Sequence, residues 1–328
     1  MRDPELEAMH DDLANEGLVA PVDLGGAEEQ LWLDCDLASL AENRIGDRTD
    51  PRALDETRRT ALRAKVTTEA PYALASRSRY ERCYWLLEGG ARVGTIAVGT
   101  MTTGMHDARM ASFYVFPTDR SRGTGRRALD RVKAIAARHD LGLRLDTCWS
   151  WQRAVRFYLR AGMWLYMWKR DLTFFWNDAL PPVEIEVGAE EASLSVSRGG
   201  APVVLARARR KGEQLELDEP ERALRDDKSL GEAPWHATSM LSLALALEGW
   251  PLIRSAEDWK KRYYADAGAP EALAYKISLW EAWDRDHGWR VETPRIPGLS
   301  YPTWPELEAK WARENAEFEA KRRAKEEG

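Results

Sequence analysis

Within twenty residues, from Met110 to Leu129, the sequence changes period. Met110 to Phe116 alternates as a strand does, and Pro117 ends the strand because it cannot donate to a continuing ladder. From Thr124 the apolar residues Leu129, Val132, Ile135 and Ala136 recur at helical spacing. Between the two runs lies Arg120-Ser-Arg-Gly-Thr-Gly125. Glycine takes positive φ and lets the backbone approach a ligand, while the first N–H groups of a helix have no partner inside it. A strand, a glycine turn and a helix start in that order suit an anion such as a pyrophosphate, with Arg122 and Arg126 at its rim. The same pattern also serves an ordinary strand-to-helix loop, so the flanking elements decide between the readings.

Upstream, Cys83, Trp85 and Leu87 alternate, Glu88-Gly89-Gly90 makes a turn, and Val93 to Val98 continues as a second strand, which predicts a hairpin. Downstream, the helix ends by His139 to Gly142 and Leu143 to Thr147 forms a short strand. Ala154, Phe157, Tyr158 and Ala161 then give a helix stopped at Gly162, and Met163 to Trp176 reads as an aromatic-rich strand pair. Residues 1–80 read as mostly helical, with a turn-rich break at Ile45 to Arg52 and a polar helix through Leu54 to Val66.

Phe113 to Leu129, with its core at Arg120, Gly123 and Gly125, resembles the acyl-CoA-binding motif of the GNAT family, the Gcn5-related N-acetyltransferases. Leu143 to Asp146, followed by Ala154, Phe157, Tyr158, Gly162 and Met163, looks like the strand and helix that follow it in that family. The resemblance covers about Glu81 to Trp176, with the preceding helices as its start. It implies an α/β (α+β) fold, a GNAT-like mixed sheet flanked by helices. It also implies an acyl-CoA-dependent N-acyltransferase that moves an acetyl or other short acyl group from acetyl-CoA, or another short acyl-CoA, to a primary amine by direct attack in a ternary complex. The resemblance further implies that the backbone of Tyr114, Val115 and Phe116 pairs with the pantetheine arm. Arg120, Arg122, Gly123, Thr124, Gly125 and Arg126 would hold the pyrophosphate. Tyr158 would serve the departing thiolate as proton or hydrogen-bond donor.

Departures from the family pattern bear on catalysis. Trp151 and Cys148 stand where the family often has Asn, and no Glu lies on the strand Met110 to Phe116. Asp146 is the nearest replacement base, although it could equally cap the next helix or pair with Arg153. His106 and Asp107, in the loop before the strand, could face the acceptor, with exposed loop residues as the alternative. Trp149 and Trp151, beside Trp164 and Trp168, could hold a cationic or aromatic amine on their indole faces, or be core residues.

At 328 residues the chain has room for two compact units, and 44% hydrophobic residues with 15 Trp supply a core without disulfides. Pro181-Pro182 marks a boundary, giving a GNAT-like acyl-CoA-binding domain at 1–178 and an α+β extension at 179–328. In the extension Val183 to Val187, Ser193 to Ser197, Val203 to Ala208 and Gln214 to Leu217 alternate as an antiparallel meander, and the chain from Pro234 onward reads as helical. The last helix carries Thr303 and Glu306 as a capping box.

Residues 118–170 carry 13 Arg plus Lys against 4 Asp in a chain of net charge −6. That split favours a local anion site over a nucleic-acid-binding surface. No apolar run approaches the roughly 20 residues of a membrane span, and the charged start Met1-Arg-Asp-Pro-Glu5 is unlike a secretory signal, so a cytoplasmic protein is expected. Three cysteines without CxxC spacing suggest free thiols, and Asp284, Asp286 and His287 read as a helix end, so no metal is expected. The acceptor would be a small-molecule or peptide amine. The competing reading is a catalytically weak GNAT scaffold whose residues 179–328 recognise a protein partner or a second copy of the chain.

Overall fold

The computed structural model describes residues 4–23, 26–45, 48–69, 81–100, 107–147, 151–168, 172–211, 214–218, 220–250, 253–254, 290–291 and 302–326. The chain divides into two compact units, residues 1–182 with 228–236, and residues 183–227 with 237–328.

The first unit runs α1 (Pro4–Asn15), β1 (Val19–Pro21), α2 (Ala27–Ile45), α3 (Glu56–Glu69), β2 (Glu81–Glu88), β3 (Ala91–Thr100), β4 (Asp107–Val115), α4 (Thr124–Arg138), β5 (Gly142–Thr147), α5 (Gln152–Arg160), β6 (Trp164–Trp168) and β7 (Leu172–Trp176). Its seven strands form one mixed sheet in the order β1-β2-β3-β4-β5-β7-β6. All neighbours are antiparallel except β4 and β5. Strand β1 was not foreseen, because three residues are too short to show a period.

Side-chain alternation sorts β4 between two layers. Tyr114 and Phe116 join the core of α2, with Trp32, Cys35 and Ala38 beside Trp85 and Ala97. The indole N–H of Trp32 donates to the Tyr84 carbonyl at 2.8 Å, which fixes α2 on that core. Phe113 instead stacks on Phe157 of α5, with ring centroids 6.1 Å apart. Helix α4 buries Leu129, Val132, Ile135 and Ala136, the stripe its sequence period shows.

Two features open the sheet beside α4. Strands β4 and β5 pair only at Asp107–Gly142, Ala108–Leu143 and Arg109–Arg144. Beyond these, β4 stays with β3 while β5 stays with β7. On β4, Ala97 faces Ser112 but Val98 faces Met110, so Ala111 is an extra residue. A bulge of this kind bends the strand and increases its twist.

In the second unit β8 (Val183–Val187), β9 (Glu191–Arg198), β10 (Ala201–Lys211) and β11 (Gln214–Asp218) form the antiparallel meander. Two two-residue strands, β12 (Ile253–Arg254) and β13 (Arg290–Val291), extend it in parallel, giving the order β13-β12-β11-β10-β9-β8. These lie where the sequence read as helix; two residues carry too little pattern to show themselves. In α7 (Ala233–Leu247), which follows the one-turn α6 (Arg222–Arg225), Met240, Leu241, Leu243 and Leu245 are fully buried. The helix Trp304–Glu326 opens on its capping box: the Glu306 carboxylate accepts from the Thr303 N–H at 2.6 Å and from its hydroxyl at 2.8 Å. No described helix is long and apolar enough to cross a membrane.

Candidate active site

A cavity of about 300 Å³ sits where β4 parts from β5. Its walls are the second half of β4, the loop into α4, the first turns of α4 and α5, and Glu42 of α2. Phe116 donates its N–H to the Val93 carbonyl at 2.9 Å, so the backbone groups of Phe116 and, by alternation, Tyr114 point toward β3. Those of Phe113 and Val115 therefore face the opened edge. This corrects the sequence expectation for Tyr114 to Phe116: only Val115 of the three presents backbone to the cleft, and Phe113 takes the second place.

At the end of β4 the loop turns through Ser121 at φ 67° and Gly123 at φ 77°. A Cβ on Gly123 would lie 2.8 Å from Nη1 of Arg127, which itself donates to the Arg122 carbonyl at 2.6 Å. Helix α4 then starts without a side-chain cap, and its first internal bond runs from the Arg127 N–H to the Gly123 carbonyl at 3.0 Å. The N–H groups of Thr124, Gly125 and Arg126 are left without an acceptor inside the helix. A Cβ on Gly125 would meet Val115 at 3.5 Å and Phe157 at 3.6 Å, so its absence keeps the groove open between them.

The arginines are disposed differently from expectation. Arg120 turns inward, donating through Nε to the Val115 carbonyl at 2.7 Å and through Nη1 to Glu42 at 2.8 Å. Arg126 lies on the cavity wall but chelates Asp130, with Nε to Oδ2 at 2.7 Å. Arg122 is exposed and off the wall. Thr124 spends its hydroxyl on Glu88 at 2.8 Å. On the described wall the helix-start N–H groups are therefore left to meet an anion, while the Arg120 and Arg126 guanidiniums and the Thr124 hydroxyl are already engaged.

Tyr158 lines the cavity from α5, between Phe157 and Phe174, and is 6% exposed. Burial alone pushes its phenol well above the usual tyrosine range, so it stays protonated. Asp146 is not on the wall: it accepts from the Thr173 hydroxyl at 2.7 Å and lies 3.6 Å from Arg109. Asp107 is the first residue of β4 rather than a loop residue, and it pairs with Arg144 at the closed end of the parallel ladder. Trp151 is both wall and core, since it lines the cavity and packs against the α2 core cluster. His106, Cys148 and Trp149 lie outside the described residues.

Glu42, Phe113, Arg153 and Phe157 also line the wall. Phe157 stood one position from a chosen tyrosine. Glu42, at the far end of a helix with no motif, gave no signal.

The acetyltransferase (GNAT) family model matches residues 51–163. No curated protein matches the chain. Among solved structures, the PaiA N-acetyltransferase of Thermoplasma acidophilum in complex with coenzyme A is 15% identical, over 45% of this chain and 91% of its own, with a TM-score of 0.31. A GNAT-family acetyltransferase of Staphylococcus aureus is 15% identical over 48% and 98%, at 0.31. An acetyltransferase of Thermus thermophilus is 16% identical over 48% and 94%, at 0.34. Residues 51–163 of the chain thus form a domain of the acetyltransferase (GNAT) family.

Proposed function

We propose that the cavity binds a short acyl-CoA, acetyl-CoA in the first instance, and that the chain transfers its acyl group to a primary amine. The observation that carries this reading is the meeting, in one cavity, of an unpaired strand edge, an uncapped helix start and a buried tyrosine. The residues fit the group. The N–H groups of Thr124 to Arg126 would hold its diphosphate, the Phe113 backbone and the Val115 N–H would take the amides of its arm, and the gap left by Gly125 would admit it between Val115 and Phe157. When bound, the coenzyme supplies an activated carbonyl and a thiolate leaving group.

The chain's own part is positioning and protons. Tyr158, kept protonated by burial, would donate a hydrogen bond from its hydroxyl to the departing thiolate, which takes its proton from water while the attacking nitrogen gives one up to water. Among the described wall residues Glu42 is the one carboxylate, and it is committed to Arg120. The acceptor therefore enters as the free amine or sheds its proton to water.

Calorimetric titration of the full chain with acetyl-CoA, beside a Gly125→Ala variant, tests the reading. Binding by the wild type that is weakened in the variant, together with CoA release over a panel of amines, is expected; no binding by the wild type ends it. The uncommitted base is missing from the described wall, which favours one second reading: a scaffold that holds the coenzyme while residues 179–328 recognise a protein or a second copy. Tight binding with no CoA release over the panel would select that reading.

A further inference from the structure

We infer that Arg153, with Arg48 beside it, forms a second anion subsite on this cavity, separate from the start of α4, which takes a carboxylate or phosphate group. The inference rests on the proposed function only for what the occupant is. It starts from a charge imbalance. Glu42 is 6% exposed at its side chain, and three guanidiniums gather round it. Arg120 takes it at 2.7 and 2.8 Å. Arg48 Nε and Arg153 Nη1 each stand 3.6 Å from its Oε1, too far for a hydrogen bond, with side chains 64% and 58% exposed.

Among the described residues one negative charge thus faces three positive ones. The neighbouring described carboxylates do not close the gap: Asp50 and Asp119 are paired with Arg52, Asp130 with Arg126, and Asp146 lies by Arg109. Exposed ion pairs at such separations hold arginines in place only weakly. Each guanidinium keeps a fork of donors suited to two anionic oxygens.

The backbone adds donors on the same side. Arg153 is the second residue of α5, whose N-cap Trp151 offers no side-chain cap and whose first turn holds no acidic residue. The Ala154 and Val155 N–H groups both turn to the Trp151 carbonyl, at 2.9 and 3.1 Å. Those of Gln152 and Arg153 have no acceptor inside the helix. The cavity is therefore lined by two helix starts, one at Gly123 to Arg126 and one at Trp151 to Ala154. A single diphosphate on the first leaves the second, with its arginines, for another anion. Two sources supply that chemistry: a carboxylate on the amine acceptor, or the 3′-phosphate of the coenzyme.

The test is phenylglyoxal labelling of the full chain, read at Arg153 by mass spectrometry, with Arg222, 94% exposed in the second unit, as reference. Probes are CoA, 3′-dephospho-CoA, N-acetylglycine and the uncharged N-methylacetamide. A charge-assisted contact predicts labelling slowed about tenfold. Protection by CoA but not by 3′-dephospho-CoA assigns the phosphate. Protection by N-acetylglycine but not by N-methylacetamide assigns an acceptor carboxylate. In either case Arg153→Gln should weaken the protecting probe about tenfold without changing the melting temperature. Labelling unchanged by all four probes, or slowed equally at Arg222, overturns the subsite. Calorimetry with CoA on the same sample separates the two proposals. N-acetylglycine protection without CoA binding keeps the subsite and removes the cofactor reading, whereas CoA binding with Arg153 fully reactive does the reverse.

Discussion

Arg120 donates through Nε to the carbonyl oxygen of Val115 at 2.7 Å, closing the loop back onto the strand that leads into it. Its other arm holds the buried carboxylate of Glu42, so one side chain ties α2, β4 and the α4 loop together. Removing it leaves a buried charge with only loose partners. Arg120→Ala should cost about 3 kcal/mol in urea denaturation, and Arg120→Lys most of that, because a point charge cannot make both bonds. A loss within about 0.5 kcal/mol, the range of an ordinary surface change, would show the tie to be dispensable.

Tyr158→Phe removes one hydroxyl and little packing. Turnover should fall about a hundredfold, with acetyl-CoA affinity unchanged. Since burial raises the phenol above its ordinary value near 10, the wild type should show no alkaline loss of rate from this group below that pH. With no carboxylate free among the described wall residues to take the proton, kcat/KM should instead rise with pH until the acceptor amine is neutral. A pH–rate profile on two amines of different basicity checks both points: the rising limb should move with the amine.

Two glycines two positions apart, Gly123 and Gly125, should respond oppositely. Gly123→Val forces a β-branched residue to φ 77° and drives its Cβ toward Arg127, which predicts a stability loss of about 1–2 kcal/mol. Gly125→Ala meets only ordinary contacts at 3.5 and 3.6 Å, so its melting temperature should hold or rise while coenzyme affinity falls. Calorimetry beside thermal melts separates a loop that folds from a groove that binds.

His10 lies buried on α1, its Nδ1 2.8 Å from the Tyr84 hydroxyl. Burial first, and the Arg82 charge second, lower it from 6.5 to about 4. Between those values the unfolded chain binds a proton and the folded chain does not, so stability falls as pH drops from 6.5 toward 4, by roughly 3 kcal/mol in all. Above pH 6.5 the contribution is complete. In urea denaturation across that range, His10→Asn should flatten this acid limb; an unchanged slope would place its origin elsewhere.

What could be read from residues alone follows from where period and turn chemistry leave a mark. The hairpin of β2 and β3, the bounds of α4 and the Tyr158 helix are local patterns several residues long, and the fold keeps them. The site was legible only as far as its loop. Whether Phe113 or Phe116 offers backbone to the cleft depends on which edge of β4 the Phe116 N–H faces, a parity fixed by the β3 ladder. Asp146 and Asp107 were drawn off by Arg109 and Arg144, partners brought near by the parallel pairing of β4 with β5. Glu42 reaches the cavity from 71 positions before Phe113, a separation no short motif spans.

The extra residue at Ala111 makes the cleft a matter of chain length as much as of side-chain identity. Nearly any small residue could stand at that exposed position, whereas losing it would put Met110 and Ser112 in continuous register with Val98 and Ala97 and remove the bend and extra twist that the bulge supplies. Phe113, Tyr114 and Val115 would keep their partners Ile96, Thr95 and Gly94, but on a straighter strand lying closer to the line of β5. Variation around this cavity is therefore constrained in its counting: substitutions between Asp107 and Val115 are corrections to a surface, but loss of the one extra residue takes away the bend that holds the surface open.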